Sequence, residues 1–152
     1  MNTTFKWHSA SFEELSTKSL HDLLQLRVAV FVVEQDCPYQ EVDGQDKRAR
    51  HVFATSDEQI VACLRILPPD SEGRVAIGRV VVAKEARGRA LGHLLMKKGM
   101  DEAERLFGKK VIKISAQEHL SDYYAQHRFA QSGQGYLEDG IPHIPMERPA
   151  SE

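Results

Sequence analysis

The chain has 152 residues, 41% of them hydrophobic and 28% charged, which suits one soluble domain able to bury its own core without a structural metal. A formal charge of −2 argues against a general nucleic-acid binder, which needs many clustered cations. Cys37 and Cys63 share no C-x-x-C spacing, no apolar run approaches the roughly 18 residues of a membrane span, and the stretch from Met1 to Ser11 has no signal pattern. The expectation is a single cytoplasmic domain over residues 1–152, with no metal site and no membrane partner.

In chain order, Ser11-Phe12-Glu13-Glu14 has the spacing of a capping box, but the stronger helical stripe follows it: Leu20, Leu23, Leu24, Val28 and Phe31 predict a helix over residues 16–35. Asp36-Cys37-Pro38 stops that helix, and a polar loop runs to Arg50. Residues 51–55 and 60–67 read as a hairpin with the four-residue loop Ser56-Asp57-Glu58-Gln59. Residues 75–82 form a strand whose Val80-Val81-Val82 end is apolar on both faces, as expected at the centre of a covered sheet. A helix over 89–107 ends at Gly108, a strand covers 111–116, and a short helix over 120–127 carries Tyr123-Tyr124. Two extended pieces, 134–137 and 143–147, complete an α/β (α+β) domain.

The most informative stretch is Ile77 to Met96, a strand that runs through a short loop into a long helix. The first amides of a helix have no acceptor in the helix and carry partial positive charge, so small residues there let an anion approach. Gly88, Ala90 and Gly92 supply such clearance, and Lys84, Arg87, Arg89, Lys97 and Lys98 make the region basic. A nucleotide-hydrolysing loop would need Gly-Lys-Ser/Thr, whereas Gly92 is followed by His93-Leu94. A dinucleotide fingerprint would need Gly-x-Gly-x-x-Gly near the first strand, whereas Gly88 and Gly92 stand four apart and late in the fold.

Arg87-Gly88-Arg89-Ala90-Leu91-Gly92 resembles the Arg/Gln-x-x-Gly-x-Gly/Ala signature of the GNAT superfamily of N-acetyltransferases, departing in an alanine among the small positions and in Lys84 where proline is common. Tyr123-Tyr124-Ala125-Gln126-His127-Arg128-Phe129 is similar to the family's Phe-Tyr-x-x-x-Gly-Phe, with Arg128 in place of glycine. Val30-Phe31-Val32-Val33-Glu34-Gln35, Cys37-Pro38-Tyr39-Gln40 and Glu138-Asp139-Gly140-Ile141-Pro142-His143-Ile144 resemble, more narrowly, the ElaA-like branch. The resemblance implies a mixed, mostly antiparallel central sheet flanked by helices, and acetyl-CoA as co-substrate. It implies a CoA diphosphate on the amides of Arg87, Gly88, Arg89, Ala90, Leu91 and Gly92, and a pantetheine arm along Val80, Val81 and Val82. It further implies contact of that arm with Gln117, and Tyr124 as proton donor to the departing thiolate.

Transfer to an amine also needs a proton acceptor. The expected strand carries no carboxylate, which leaves Glu34, Asp43, His51, Glu118, Asp139 and His143, with Glu34 and His143 foremost. Arg27 and Arg65, set within apolar stripes, are expected as buried partners of carboxylates. The acceptor is expected to be a small amine or a peptide, and a homodimer is compatible with the family. Two other readings stand beside this one. Arg27-x-x-Val30-Phe31 with Glu41-x-Asp43 resembles acyl-homoserine-lactone synthases, and a non-catalytic CoA-binding regulatory module would need no base.

Overall fold

In the computed structural model, which describes residues 4–151, the chain opens on a strand that patterning did not reveal. β1 (Lys6–Ser11) is a half-exposed edge strand whose polar residues leave no clear alternation. The capping box does form: Ser11 N–H donates to Glu14 Oε1 at 2.9 Å, and Glu14 N–H donates to Ser11 Oγ at 3.2 Å. It closes a turn at the end of β1 instead of starting a helix. The helix start is set by Ser16, whose hydroxyl accepts the Ser19 amide at 3.0 Å.

α1 (Thr17–Arg27) then continues as a π-helical stretch, Val28–Glu34. The expected helix over 16–35 is therefore continuous but widened where Val28, Val30, Val32 and Val33 crowd a 3.6-residue turn. β2 (Arg50–Ser56) and β3 (Gln59–Leu67) pair through Ser56 and Gln59, so the hairpin loop has two residues and not four. Asp57 and Glu58 both take positive φ, 51° and 66°, the tight turn that matches strand twist.

β4 (Val75–Val82) precedes α2 (Leu91–Phe107) and β5 (Ile112–Gln117), a parallel crossover. A 3₁₀ turn at Glu118–Leu120 leads into α3 (Ser121–Ala125), shorter than the expected 120–127 helix. β6 (Ala130–Gln131), β7 (Tyr136–Glu138) and β8 (Ile141–Arg148) follow. The strand order is β1-β2-β3-β4-β5-β8-β6, with β7 also on β8. Among the described residues only the β4–β5 pairing is parallel, so the sheet is mixed and mostly antiparallel, as expected. The ends of the expected domain, residues 1–3 and 152, lie outside the described residues.

Alternate residues of the central strands face opposite layers. Val52, Ala54, Leu64 and Ile66 pack with Leu95 and Met96 of α2, while Phe53, Cys63 and Val81 pack with Leu23 and Val30 on the other face. The α2 layer is tight: a Cβ on Gly99 would stand 2.6 Å from Leu64 Cδ2, with Leu64 itself fully buried. Gly99→Val is expected to destabilise the protein by about 1–3 kcal/mol through overpacking, read as a lower urea midpoint with an unchanged slope.

Candidate functional site

β4 and β5 share only two register pairs, Val75 with Ile112 and Ala76 with Lys113, and then diverge. Beyond Ala76, β4 has no β5 partner, and its edge faces a cleft of about 800 Å3. The end of the π-helical stretch, the loop before α2, α3 and the β7–β8 turn supply the other walls. The opposite edge of β4 is also interrupted. Cys63 pairs with Val81 and Arg65 with Gly78, so Arg79 and Val80 lack register partners on β3. Arg79 carries φ 52°, a bulge that turns main-chain groups out of the regular ladder.

The loop at the head of α2 is built by left-handed residues. Gly88 has φ 84°, a conformation that favours glycine, and a Cβ there would meet no protein atom within 4 Å. Ala90 takes φ 56°, a conformation that costs a non-glycine residue roughly 1–2 kcal/mol. Together they delay the expected helix start from 89 to Leu91. Gly92 differs from the expectation: its missing Cβ faces Tyr123, not the anion approach. A methyl there would lie 3.2 Å from the Tyr123 hydroxyl, which donates to Gly92 O at 2.6 Å. The first bond back along the helix is Leu94 N–H to Ala90 O at 3.2 Å, so the amides of residues 91–93 precede intrahelical pairing.

Val80, Val81, Val82, Arg87, Gly88, Ala90, Leu91, Gly92, Gln117 and Tyr124 all line this one cleft. Arg89 is exposed and off its wall, Lys84 and Lys97 are exposed, and Lys98 lies over the Trp7 ring at 5.7 Å. The basic group seen in sequence is therefore dispersed. Tyr124 is 7% exposed, and burial pushes its phenol up to about 12, which keeps it protonated. Tyr123 packs edge-on against it and against the imidazole of His127, and tilted against that of His93; the His93 Nδ1 and His127 Nε2 atoms are 2.9 Å apart.

Glu34 and His143 reach the cleft too. Glu34 receives both Nη atoms of Arg87, at 2.7 and 3.0 Å, and that hydrogen bonding lowers its pKa. His143 is buried, with Nδ1 2.7 Å from Ile141 O and Nε2 3.3 Å from Glu138 Oε2. The carbonyl can only accept, so Nδ1 carries a proton and Nε2 is the nitrogen that faces the cleft carboxylate Glu138. Asp43 and Asp139 line the same cleft, whereas His51 is buried against Asp46 O and Glu118 is off the cleft wall. Sequence reasoning missed Arg79 and His93 as lining residues, since an arginine inside a strand and a histidine inside a helix carry no spacing signal.

A buried ionic cluster reaches the cleft wall at Asp43 and Arg79. Arg27 Nη1 and Nη2 meet Asp46 at 2.7 and 3.2 Å, and its Nε meets Glu41. Arg65 holds Asp43 at 2.7 and 2.9 Å and Asp46 at 3.1 Å. Arg79 reaches Glu41 and Asp43 and lies 5.5 Å above the Tyr39 ring, while the Tyr39 hydroxyl donates to Glu41 Oε2 at 2.9 Å. Arg27 and Arg65 are thus buried partners of carboxylates, as expected, but Glu34 belongs to Arg87. Among the described residues, no group of three or more His, Cys, Asp or Glu is arranged to hold a metal, and no helix is long and apolar enough to cross a membrane.

Residues 16–149 match the family described as "Acetyltransferase (GNAT) domain". The chain is 42% identical over 146 residues to the protein ElaA of Escherichia coli K12, covering 94% of this chain and 95% of that one. A crystal structure of an acyl-CoA N-acyltransferase from Pseudomonas aeruginosa superposes with a TM-score of 0.92 at 48% identity, covering 95% of this chain and 99% of the other. The crystal structure of Escherichia coli ElaA does so with a TM-score of 0.89 at 40% identity, over 95% and 99% of the two chains.

The ionic cluster makes acid stability a direct test. Hydrogen bonds from Arg65 hold Asp43 low; burial pushes Asp46 up, but Arg27 and Arg65 outweigh it and leave its pKa lowered. Both depressed carboxyls stabilise the fold fully above the unfolded value of about 4, and lose that contribution as pH falls through their folded values. The urea midpoint is expected to fall steeply below about pH 4. Asp46→Asn should flatten that fall and cost about 3–5 kcal/mol at pH 7 by leaving Arg27 and Arg65 undercompensated.

Proposed function

Because the chain belongs to the GNAT acetyltransferase family, we propose that it is an acetyl-CoA-dependent N-acetyltransferase whose amine acceptor attacks the thioester directly in the cleft between β4 and β5. The observation that carries this reading is the convergence on one cleft of an unpaired strand edge, helix-terminal amides and a buried protonated tyrosine. The CoA diphosphate fits the amides around Gly88 to His93, and the pantetheine amides fit the free edge of β4 as an added strand would. The two are continuous, so the thioester comes to the bulge at Arg79 and Val80.

In the reaction the amine nitrogen bonds to the thioester carbon, and negative charge moves onto its oxygen, where the Val80 amide stabilises it. Collapse breaks the carbon–sulfur bond. Tyr124 gives its proton to the thiolate as it leaves, the nitrogen, now bonded to the acyl carbon, releases its second proton to solvent, and Tyr124 is reprotonated from solvent. The attacking ammonium first loses a proton to His143 through Nε2, and the Glu138 carboxylate beside that nitrogen stabilises the resulting imidazolium. Glu138 and Asp139 also line the cleft, and carboxylates there suit a cationic small amine or a peptide amine.

Calorimetric titration with CoA and acetyl-CoA is expected to show one site; no binding at millimolar ligand would end the proposal. With an accepted amine found by thiol release, Tyr124→Phe should lower turnover by about ten- to a thousandfold at near-unchanged CoA affinity. Equal loss of turnover and CoA affinity would mark Tyr124 as structural, and CoA binding with no acetyl transfer to any amine would favour the regulatory CoA-binding module. Turnover of long acyl-CoA with S-adenosylmethionine, and none with acetyl-CoA and amines, would favour the lactone-synthase reading.

A further inference from the structure

Val82 and Gln117 are the last residues of β4 and β5, the two tips of the diverging pair, and no register pairing joins the strands there. Two consecutive residues at the end of the first helix tie both tips. Arg87 Nε donates to Val82 O at 3.1 Å while its two Nη atoms grip the Glu34 carboxylate at 2.7 and 3.0 Å. Gln117 Nε2 donates to Gln35 Oε1 at 3.3 Å. We propose that Glu34 and Gln35 form a strap that fixes the aperture of the cleft over the CoA arm, with Glu34 acting through Arg87 as a positioning residue and not as the proton acceptor. The inference rests on the reading of this cleft as the CoA site.

Three features support it. Both side chains of the Glu34–Arg87 pair are more than a third exposed, and a pair of that kind contributes little to stability, so its geometry calls for another purpose. Arg87 belongs to the loop expected to meet the diphosphate, yet three of its N–H groups are directed inward, to one carbonyl and one carboxylate. Its charge is matched within the chain, which leaves the main-chain amides to hold the anion. A carboxylate bound on both oxygens by a guanidinium, with its pKa lowered by that bonding, is also poorly suited to take a proton from an ammonium. The π-helical stretch accounts for the reach of the strap: its wider turns end at Glu34, with Gln35 as the cap, so both side chains project over the opening.

The test is CoA binding by calorimetry and stopped-flow, which needs no acceptor. Glu34→Gln keeps the shape and removes the charge; Arg87→Lys keeps the charge and removes the two-pronged grip. Each is expected to weaken CoA about tenfold, through faster dissociation, and the double variant should be no worse than the weaker single one. Dephospho-CoA should lose the same factor, because the strap spans the pantetheine arm and not the 3′-phosphate. Melting temperatures near that of the parent protein exclude a folding defect, and Arg87→Lys gives a second, conservative reading should Glu34→Gln fold poorly. CoA binding by Glu34→Gln that is unchanged or tighter, with Arg87→Lys close to the parent, would overturn the strap and assign Arg87 directly to phosphate. Failure of the parent protein to bind CoA at all would instead remove the CoA site, and the strap with it.

Discussion

The site depends on an interruption of main-chain pairing. A strand buried in the middle of a sheet ordinarily has both edges bonded, since a buried amide or carbonyl without a partner is costly. β4 satisfies this rule at Val75 and Ala76 and then departs from β5, leaving six residues with one edge on a cleft. The other edge slips at Arg79 and Val80. A central strand with unmet hydrogen-bonding capacity on one side needs water or a ligand with amides of its own, and the cleft is shaped by that need.

Keeping the strands apart requires support on both sides. On one face α2 is pressed so close to β3 that a Cβ at position 99 would force the buried Leu64 side chain to shift, and the α2 N-terminus is pinned to α3 by the bond from Tyr123 to Gly92. That bond fixes the loop relative to Tyr124, the next residue. On the other face three arginines and three carboxylates are interlocked and reach the cleft wall at Asp43 and Arg79. Burying such a cluster brings little net stability compared with an apolar core of equal volume. Its advantage lies in geometry: Arg27 of α1, Arg65 of β3, Arg79 of the bulge and the loop carrying Glu41 to Asp46 hold one relative arrangement.

Much of this was legible in the sequence, and the reasons differ by element. Strands β3 and β4 and helix α2 were readable because their apolar spacing is dictated by two covered faces. β1 was not, because an edge strand satisfied on one side tolerates Lys-Trp-His-Ser. The hairpin turn was misjudged because Asp57 and Glu58 are ordinary polar residues until pairing drives both into the left-handed region. The loop after β4 was legible through its small residues, yet Gly92 proved to be small for the sake of Tyr123, a contact between residues 31 apart that local spacing cannot express. Glu34 was found as a residue facing the site, while its partner Arg87 lies 53 positions away and redefines what it can do.

These differences follow from the kind of atom that does the work. In the proposed CoA site the groups are main-chain amides, so what the sequence must supply is conformation: a glycine at φ 84°, an alanine at φ 56°, a strand without a neighbour. Such requirements leave compact local signatures. Elsewhere on the cleft wall the groups are side chains from the loop after α1, the bulge of β4 and the β7–β8 turn, brought together only by the completed sheet. The loop before α2 is thus specified by local backbone conformation, whereas the rest of the cleft wall is specified by contacts between residues far apart in the chain.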